Sequence, residues 1–303
     1  MHISRYHPIS AVALFILATS AAIVAQGGKV IIRLIPRPNQ TAHFEITQEM
    51  DLEVVYERNL DASGKTTSDP MKMTGKSTWV FTQKNGEMNE QGNMEAQITY
   101  DRLSMERSMN GKRLTADNLA DSLIGKTITL TFDKEGNVVD VKVPPEVSIP
   151  ADMFRQIMDS MYNNLPKTPL AIGETVAVPF SMPLPIPTPG AGPLNLEGQS
   201  KYKLVAIASD GKDSLPRFEQ TVEAALVKTI EVDTPSGKSK VNVNVQLTGG
   251  GVLELNLNKG ILKTGDMQTT VDGKISMVTD VQKAKLQTIK LHGTMKMVSS
   301  SHN

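Results

Sequence analysis

Strict alternation of apolar and polar residues runs through most of this chain, and it restricts the fold more than any other feature. In "KVNVNVQL" (240–247), Val241, Val243, Val245 and Leu247 fall on one side and Asn242, Asn244 and Gln246 on the other. Successive residues of a strand point to opposite faces, so a period of two gives one greasy face and one wet face. "VLELNLN" (252–258) repeats the pattern with Leu253, Leu255 and Leu257, and "TITLTF" (127–132) with Ile128, Leu130 and Phe132. Antiparallel sheets with one solvated face read this way.

Turn signals separate these runs at short intervals. Asn85-Gly86, Asn110-Gly111, Asp210-Gly211 and Asp272-Gly273 each tolerate the positive φ angles of tight hairpins. "DASGK" (61–65), "DKEGN" (133–137) and "TPSGK" (234–238) read as longer turns. The expectation is a mainly β chain, a meander of roughly ten or more long antiparallel strands.

One stretch departs from that period. "PADMFRQIMDSMYNNL" (150–165) places Met153, Phe154, Ile157, Met158, Met161, Tyr162 and Leu165 on one helical stripe. Pro150 and Asp152 suit a helix start, and Asn163, Asn164 and Pro166 its end. An amphipathic helix packed on the greasy side of the sheet is expected here. Six of the 17 prolines cluster in residues 179–193, which reads as an extended surface loop. Helix and loop divide a single β-rich domain (40–298) into strand-rich halves, about 40–165 and 170–298, with a weak internal likeness between them.

Residues 1–25 read as a signal peptide. "ISAVALFILATSAAIVA" (9–25) is apolar and small, and Ala25 before Gln26 suits cleavage. A retained membrane anchor is the alternative, since the apolar run is near the lower limit for spanning. Either way the body is expected outside the cytoplasm, periplasmic or extracellular. Acids and bases balance at 32 each and aromatic residues are 4%, which argues against a nucleic-acid partner. Cysteine is absent, so disulfides, thiol nucleophiles, cysteine metal sites and a lipid-modified N-terminal cysteine are excluded.

Chemical motifs fail on their context. Gly125-Lys126-Thr127 looks like the lysine turn of a nucleotide loop, but Ala120 stands where the first glycine belongs and a strand follows. "TGGGV" (248–252) lacks a dinucleotide spacing and is expected to form a bulge or bend. Ser200-Lys201-Tyr202-Lys203 matches S-x-x-K, yet on a strand residues 200 and 203 face opposite ways. His43 and His292 each stand alone on a predicted strand, and no cofactor or metal site is expected.

A leader, a long meander, "SLIGKTITLTFDKEGNVVDVKVPPE", "IGETVAV" (172–178) and a late "GGGVLELNLNKGIL" together resemble an uncharacterised family of exported bacterial proteins. The family's shape is similar to the open half-barrel of lipoprotein carriers. That resemblance implies a curved sheet or open half-barrel with the helix on its concave face, and it supplies no catalytic residue.

The reading that follows is a non-enzymatic exported protein holding a lipid or other apolar small molecule. The expected lining is Phe154, Ile157, Met158, Met161, Ile128, Leu130 and Phe132. A structural envelope protein with a filled core is the alternative. A hydrolase with a spatially assembled site is the third.

Overall fold

The computed structural model describes residues 29–31, 37–59, 66–114, 122–147, 154–155, 166, 168–184, 194–211, 213–234, 237–278 and 286–302. Among them twelve strands form one sheet. β1 is Thr41–Asn59, β2 Thr66–Met88, β3 Met94–Met109, β4 Lys112–Arg113, β5 Thr127–Phe132 and β6 Val138–Lys142. β7 is Thr175–Leu184, β8 Leu194–Asp210, β9 Asp213–Thr234, β10 Gly237–Asn256, β11 Ile261–Val278 and β12 Leu286–His302. The order is β6-β5-β3-β2-β1-β12-β11-β10-β9-β8-β7, with β4 beside β3. Every strand pair is antiparallel, and the first and last long strands, β1 and β12, meet at the centre. Among the described residues β6 and β7 are the two ends of the sheet.

The expected combination of sheet and amphipathic helix is corrected. The architecture is one large antiparallel sheet, and among the described residues no helix stands among its elements. Helical conformation among the described residues is confined to 122–123 and 154–155. Most of the stretch 150–165, including Ile157, Met158 and Met161, lies outside the described residues, as do residues 1–25. A 3.6-residue stripe says that apolar groups share a side if a helix forms; it cannot supply the backbone bonds or the partner surface that decide whether one does. No helix among the described residues is long and apolar enough to cross a membrane.

Alternation sets the two faces. On β1, Ala42, Phe44, Ile46, Gln48, Leu52 and Val54 are buried on the inner face, while Glu45, Glu49, Asp51 and Glu53 are exposed on the outer. Val241, Val243 and Val245 of β10 are buried and Asn242, Asn244 and Gln246 exposed, as the sequence requires. Outer charges are matched across strands: Lys76 to Glu49 at 2.8 Å, Lys72 to Asp51 at 3.0 Å and Lys142 to Glu95 at 3.0 Å. These solvated pairs favour the register without adding much stability.

Neighbouring strands approach closely at two inner-face glycines. Facing Cβ atoms in an ordinary antiparallel pair stand roughly 4.5–5.5 Å apart. A Cβ added to Gly198 would lie 2.5 Å from the Cβ of Ala224, and one on Gly251 would lie 2.0 Å from the Asp266 carbonyl oxygen. Glycine is required at both places because the neighbouring backbone occupies the space of a side chain.

Turn chemistry is realised unevenly. Asn110-Gly111 (φ 50° and 75°) turns β3 into β4, and Gly211 (φ 62°) serves β8–β9. Asp133 caps the β5–β6 turn by accepting from the Glu135 and Asn137 backbone N–H groups at 2.8 and 2.9 Å. Asn85-Gly86 and Asp272-Gly273 instead lie inside β2 and β11. The β2–β3 turn belongs to Asn89, whose side chain accepts from Gln91 and Asn93. "TGGGV" also runs within a strand, and the β10–β11 bulge falls later, at Glu254/Leu255.

Candidate functional site

The inner face divides into a filled end and a partly open end. At the filled end, Phe44, Trp79, Phe81, Ile98, Tyr100, Leu204 and Phe218 form one cluster with Ile128, Leu130 and Phe132. Segments crossing the face complete it through Val30, Leu123, Val147, Phe154 and Leu170. Val30 and Leu170 are tied by reciprocal backbone hydrogen bonds of 2.7 Å. Phe44 stacks on Phe81 with ring centroids 5.0 Å apart, and Tyr100 meets Trp79 edge-on at 6.1 Å. Burial pushes the phenol of Tyr100 well above its ordinary value.

Four of the residues expected to line a ligand, Phe154, Ile128, Leu130 and Phe132, are brought together in this cluster, each with no exposed surface. The other three, Ile157, Met158 and Met161, are outside the described residues.

The opposite end differs. Leu52, Val54 and Met73 are buried there, but the apolar groups around them are only partly covered: Met50, Met71, Met109, Val271, Ile289 and Leu291. Sequence reasoning missed this surface. Its signal was present in the alternation of "EMDLEVVY" (49–56) and "MKMTGK" (71–76), which puts methionine repeatedly on one side. Nine methionines with described side chains face inward from the strands, at 50, 71, 73, 94, 105, 109, 267, 295 and 297. Met50 stands opposite Met295, and Met267 opposite Met297. Unbranched thioether chains adapt their shape to what they touch, which suits a surface that must accept a variable apolar partner.

Polar groups on the inner face are few and mostly paired. Gln48 is 5% exposed and its amide donates to the Met295 sulfur. The Trp79 indole N–H donates to Ser77 Oγ at 3.1 Å, and the Gln220 amide to the Tyr202 hydroxyl at 3.1 Å. Ser299 Oγ is buried without a hydrogen-bond partner.

Neither histidine is alone. His292 lies in register with Asp272, its Nδ1 2.6 Å from Oδ1, which holds the imidazole above its ordinary value through that hydrogen bond and the carboxylate charge. His43 Nδ1 is 2.9 Å from Thr82 Oγ1, and that hydroxyl donates to Asp101 at 2.6 Å. The trio contains a hydroxyl, a histidine and an acid in the wrong order for nucleophilic catalysis. The hydroxyl proton goes to Asp101, so His43 donates to Thr82 and does not act as its base. No group of three or more His, Asp or Glu among the described residues is placed to hold a metal ion.

Ser200 is buried on the inner face of β8 and Lys203 exposed on the outer, which separates the S-x-x-K pair. Gly125 (φ 72°) and Lys126 form a turn into β5, with the Lys126 N–H donating to Leu123 O at 2.9 Å. A strand, not a helix N-terminus, follows the Gly-Lys pair.

No family model matches the chain. No curated protein matches it either. Among solved structures, one titled for lipid–protein interactions in lipovitellin is similar at 11% identity and a TM-score of 0.44. That likeness covers 88% of this chain and 26% of the lipovitellin chain. The chain thus spans about a quarter of that protein, and a likeness this slight transfers no function.

Proposed function

We propose that this is an exported, non-enzymatic protein that holds an apolar or amphipathic ligand against the inner face of its sheet. The supporting observation is the half-covered apolar surface around Met50, Met71, Met109, Val271, Ile289 and Leu291, which packs on only three fully buried residues, Leu52, Val54 and Met73. A sheet that needed only to be stable would cover those groups, because each exposed apolar group forgoes about 25 cal/mol per Å². Contiguous apolar surface of this kind marks a place where something binds. Among the described residues the outer face carries charged pairs instead.

A second reading, a structural protein of the cell envelope, has the complete burial of Phe154, Ile128, Leu130 and Phe132 in its favour. The two separate on binding. A fluorescent acyl probe is expected to bind the wild-type protein, and Leu291→Asp to abolish binding by placing a carboxylate on the inner face. Thr294→Asp, on the exposed outer face of the same strand, is the control and retains it. Wild-type protein that binds no acyl probe after delipidation favours the structural reading.

A further inference from the structure

Histidine is scarce in this chain, with five among 303 residues. Two of the five stand directly opposite each other where the first and last long strands meet: His43 of β1 is the register partner of His302 of β12. Opposite residues of an antiparallel pair share a face, and here it is the outer one, since Ala42 and Phe44 on either side of His43 are buried inside. The two rings lie 5.6 Å apart, centroid to centroid, with planes 25° from parallel. Two imidazoles sharing one tetrahedral ion hold their centres roughly 5–6 Å apart, given metal–nitrogen bonds of about 2.0–2.1 Å. The pair already has that spacing. His302 is exposed, so its ring is free to turn a nitrogen toward an ion.

His43 is held as a ligand is held. Its Nδ1 lies 2.9 Å from Oγ1 of Thr82, its register partner on β2, and that hydroxyl donates to Asp101 Oδ2 at 2.6 Å. A hydroxyl has one proton to give. With that proton on Asp101, Thr82 accepts from the His43 Nδ1–H, and the lone pair of the neutral imidazole is left on Nε2. Metal-binding histidines are commonly fixed this way, the other ring N–H donating toward a carboxylate or another acceptor. A β-bulge supplies the carboxylate. The β2–β3 register steps from Phe81–Tyr100 to Val80–Arg102, so Asp101 is an extra residue on β3. Tyr100 and Leu103 stay buried while Asp101 and Arg102 are both exposed. Bulges re-aim side chains in this manner.

We propose that His43 and His302 form a binding site for one late divalent transition-metal ion, Cu2+, Ni2+ or Zn2+. Nε2 of His43 is the fixed ligand, His302 the adjustable one, and water completes the coordination. Imidazole suits these ions, whereas Mg2+ and Ca2+ favour oxygen donors. Two protein ligands leave positions open, as in exchangeable rather than closed structural sites. The ion ties the last strand to the first at the centre of the sheet and so favours the folded chain. The site is on the face opposite the apolar surface, and it stands or falls separately from the ligand reading.

Isothermal titration of the untagged, chelator-treated protein with Cu2+, Ni2+, Zn2+ and Mg2+ tests this. His2 and His7 lie outside the described residues, so the reading is the difference between wild type and variant. One ion per chain is expected to be lost in His43→Ala and equally in His302→Ala, with Cu2+ bound tightest and Mg2+ not at all. His292→Ala, on the same face of β12, is expected to retain the site. Thr82→Val keeps both ligands but removes the hydrogen bond that orients His43, and affinity is expected to fall about tenfold. Electron paramagnetic resonance of the Cu2+ complex is expected to show coupling to two imidazole nitrogens in wild type and to one in either single variant. Equal binding by wild type and the His43→Ala/His302→Ala double variant would overturn the proposal, as would a copper spectrum that neither substitution changes. Undiminished affinity in Thr82→Val would overturn the positioning role given to Thr82 and Asp101.

Discussion

At the scale of single residues, glycines and buried hydroxyls carry most of the information. Gly251→Ala drives a methyl into the Asp266 carbonyl at 2.0 Å, so the β10–β11 ladder must open. A loss of about 1–3 kcal/mol is expected from such overpacking. Gly75→Ala meets only ordinary contacts and is expected to be neutral or slightly stabilising when urea titrations of the two variants are compared. Burial pushes the Tyr202 hydroxyl up to about 12. Its contribution to stability is whole below the unfolded value near 10 and is lost as pH rises through the folded one. Absorbance titration is expected to show Tyr202 ionising above the ordinary tyrosine range, with unfolding setting in over that window. His292, raised by Asp272, works in the same direction at lower pH: its pairing stabilises fully below about 6.5 and fades as the imidazole deprotonates. Asp272→Asn is expected to return the His292 proton resonance to a titration near the ordinary value.

At the scale of elements, the strands were legible and their ends were not. Period-two alternation identified the inner residues of β10 and β5 one by one, because a strand has no other way to bury half its side chains. Asn-Gly and Asp-Gly pairs turned the chain at Asn110-Gly111 and Asp210-Gly211 but not at Asn85 or Asp272. Those dipeptides permit a turn, while a long ladder on both sides forbids one. Gly273 is used for another purpose: the Leu291 and Val245 side chains pack where its own would lie. The stripe at 150–165 was read as a helix from its periodicity and end signals, and those local cues do not decide whether tertiary packing lets a helix form. Edges carry a further test. Pro179 and Pro183 occupy alternate positions of β7, opposite Gln199 and Asn195. Their missing N–H groups fall on one side of the strand, and the side compatible with the β8 ladder is the free edge. Replacing both with valine restores two donors there. Light scattering is expected to show concentration-dependent self-association that the wild-type protein lacks.

At the scale of the whole molecule, an open antiparallel sheet keeps a charged outer face and a methionine-lined inner one. The core at one end was legible from Ile128, Leu130 and Phe132, since their alternation alone marks them for burial. The half-covered surface at the other end was not. It depends on the register that sets β1 beside β12, residues more than two hundred positions apart in sequence. The central claim, that this face holds a ligand, is tested most directly by native mass spectrometry of protein purified from its native source without detergent exchange. The account predicts a population carrying one bound amphiphile, released on acidification or denaturation and absent from Leu291→Asp. Protein that flies only at its bare polypeptide mass, in wild type and variant alike, would contradict it.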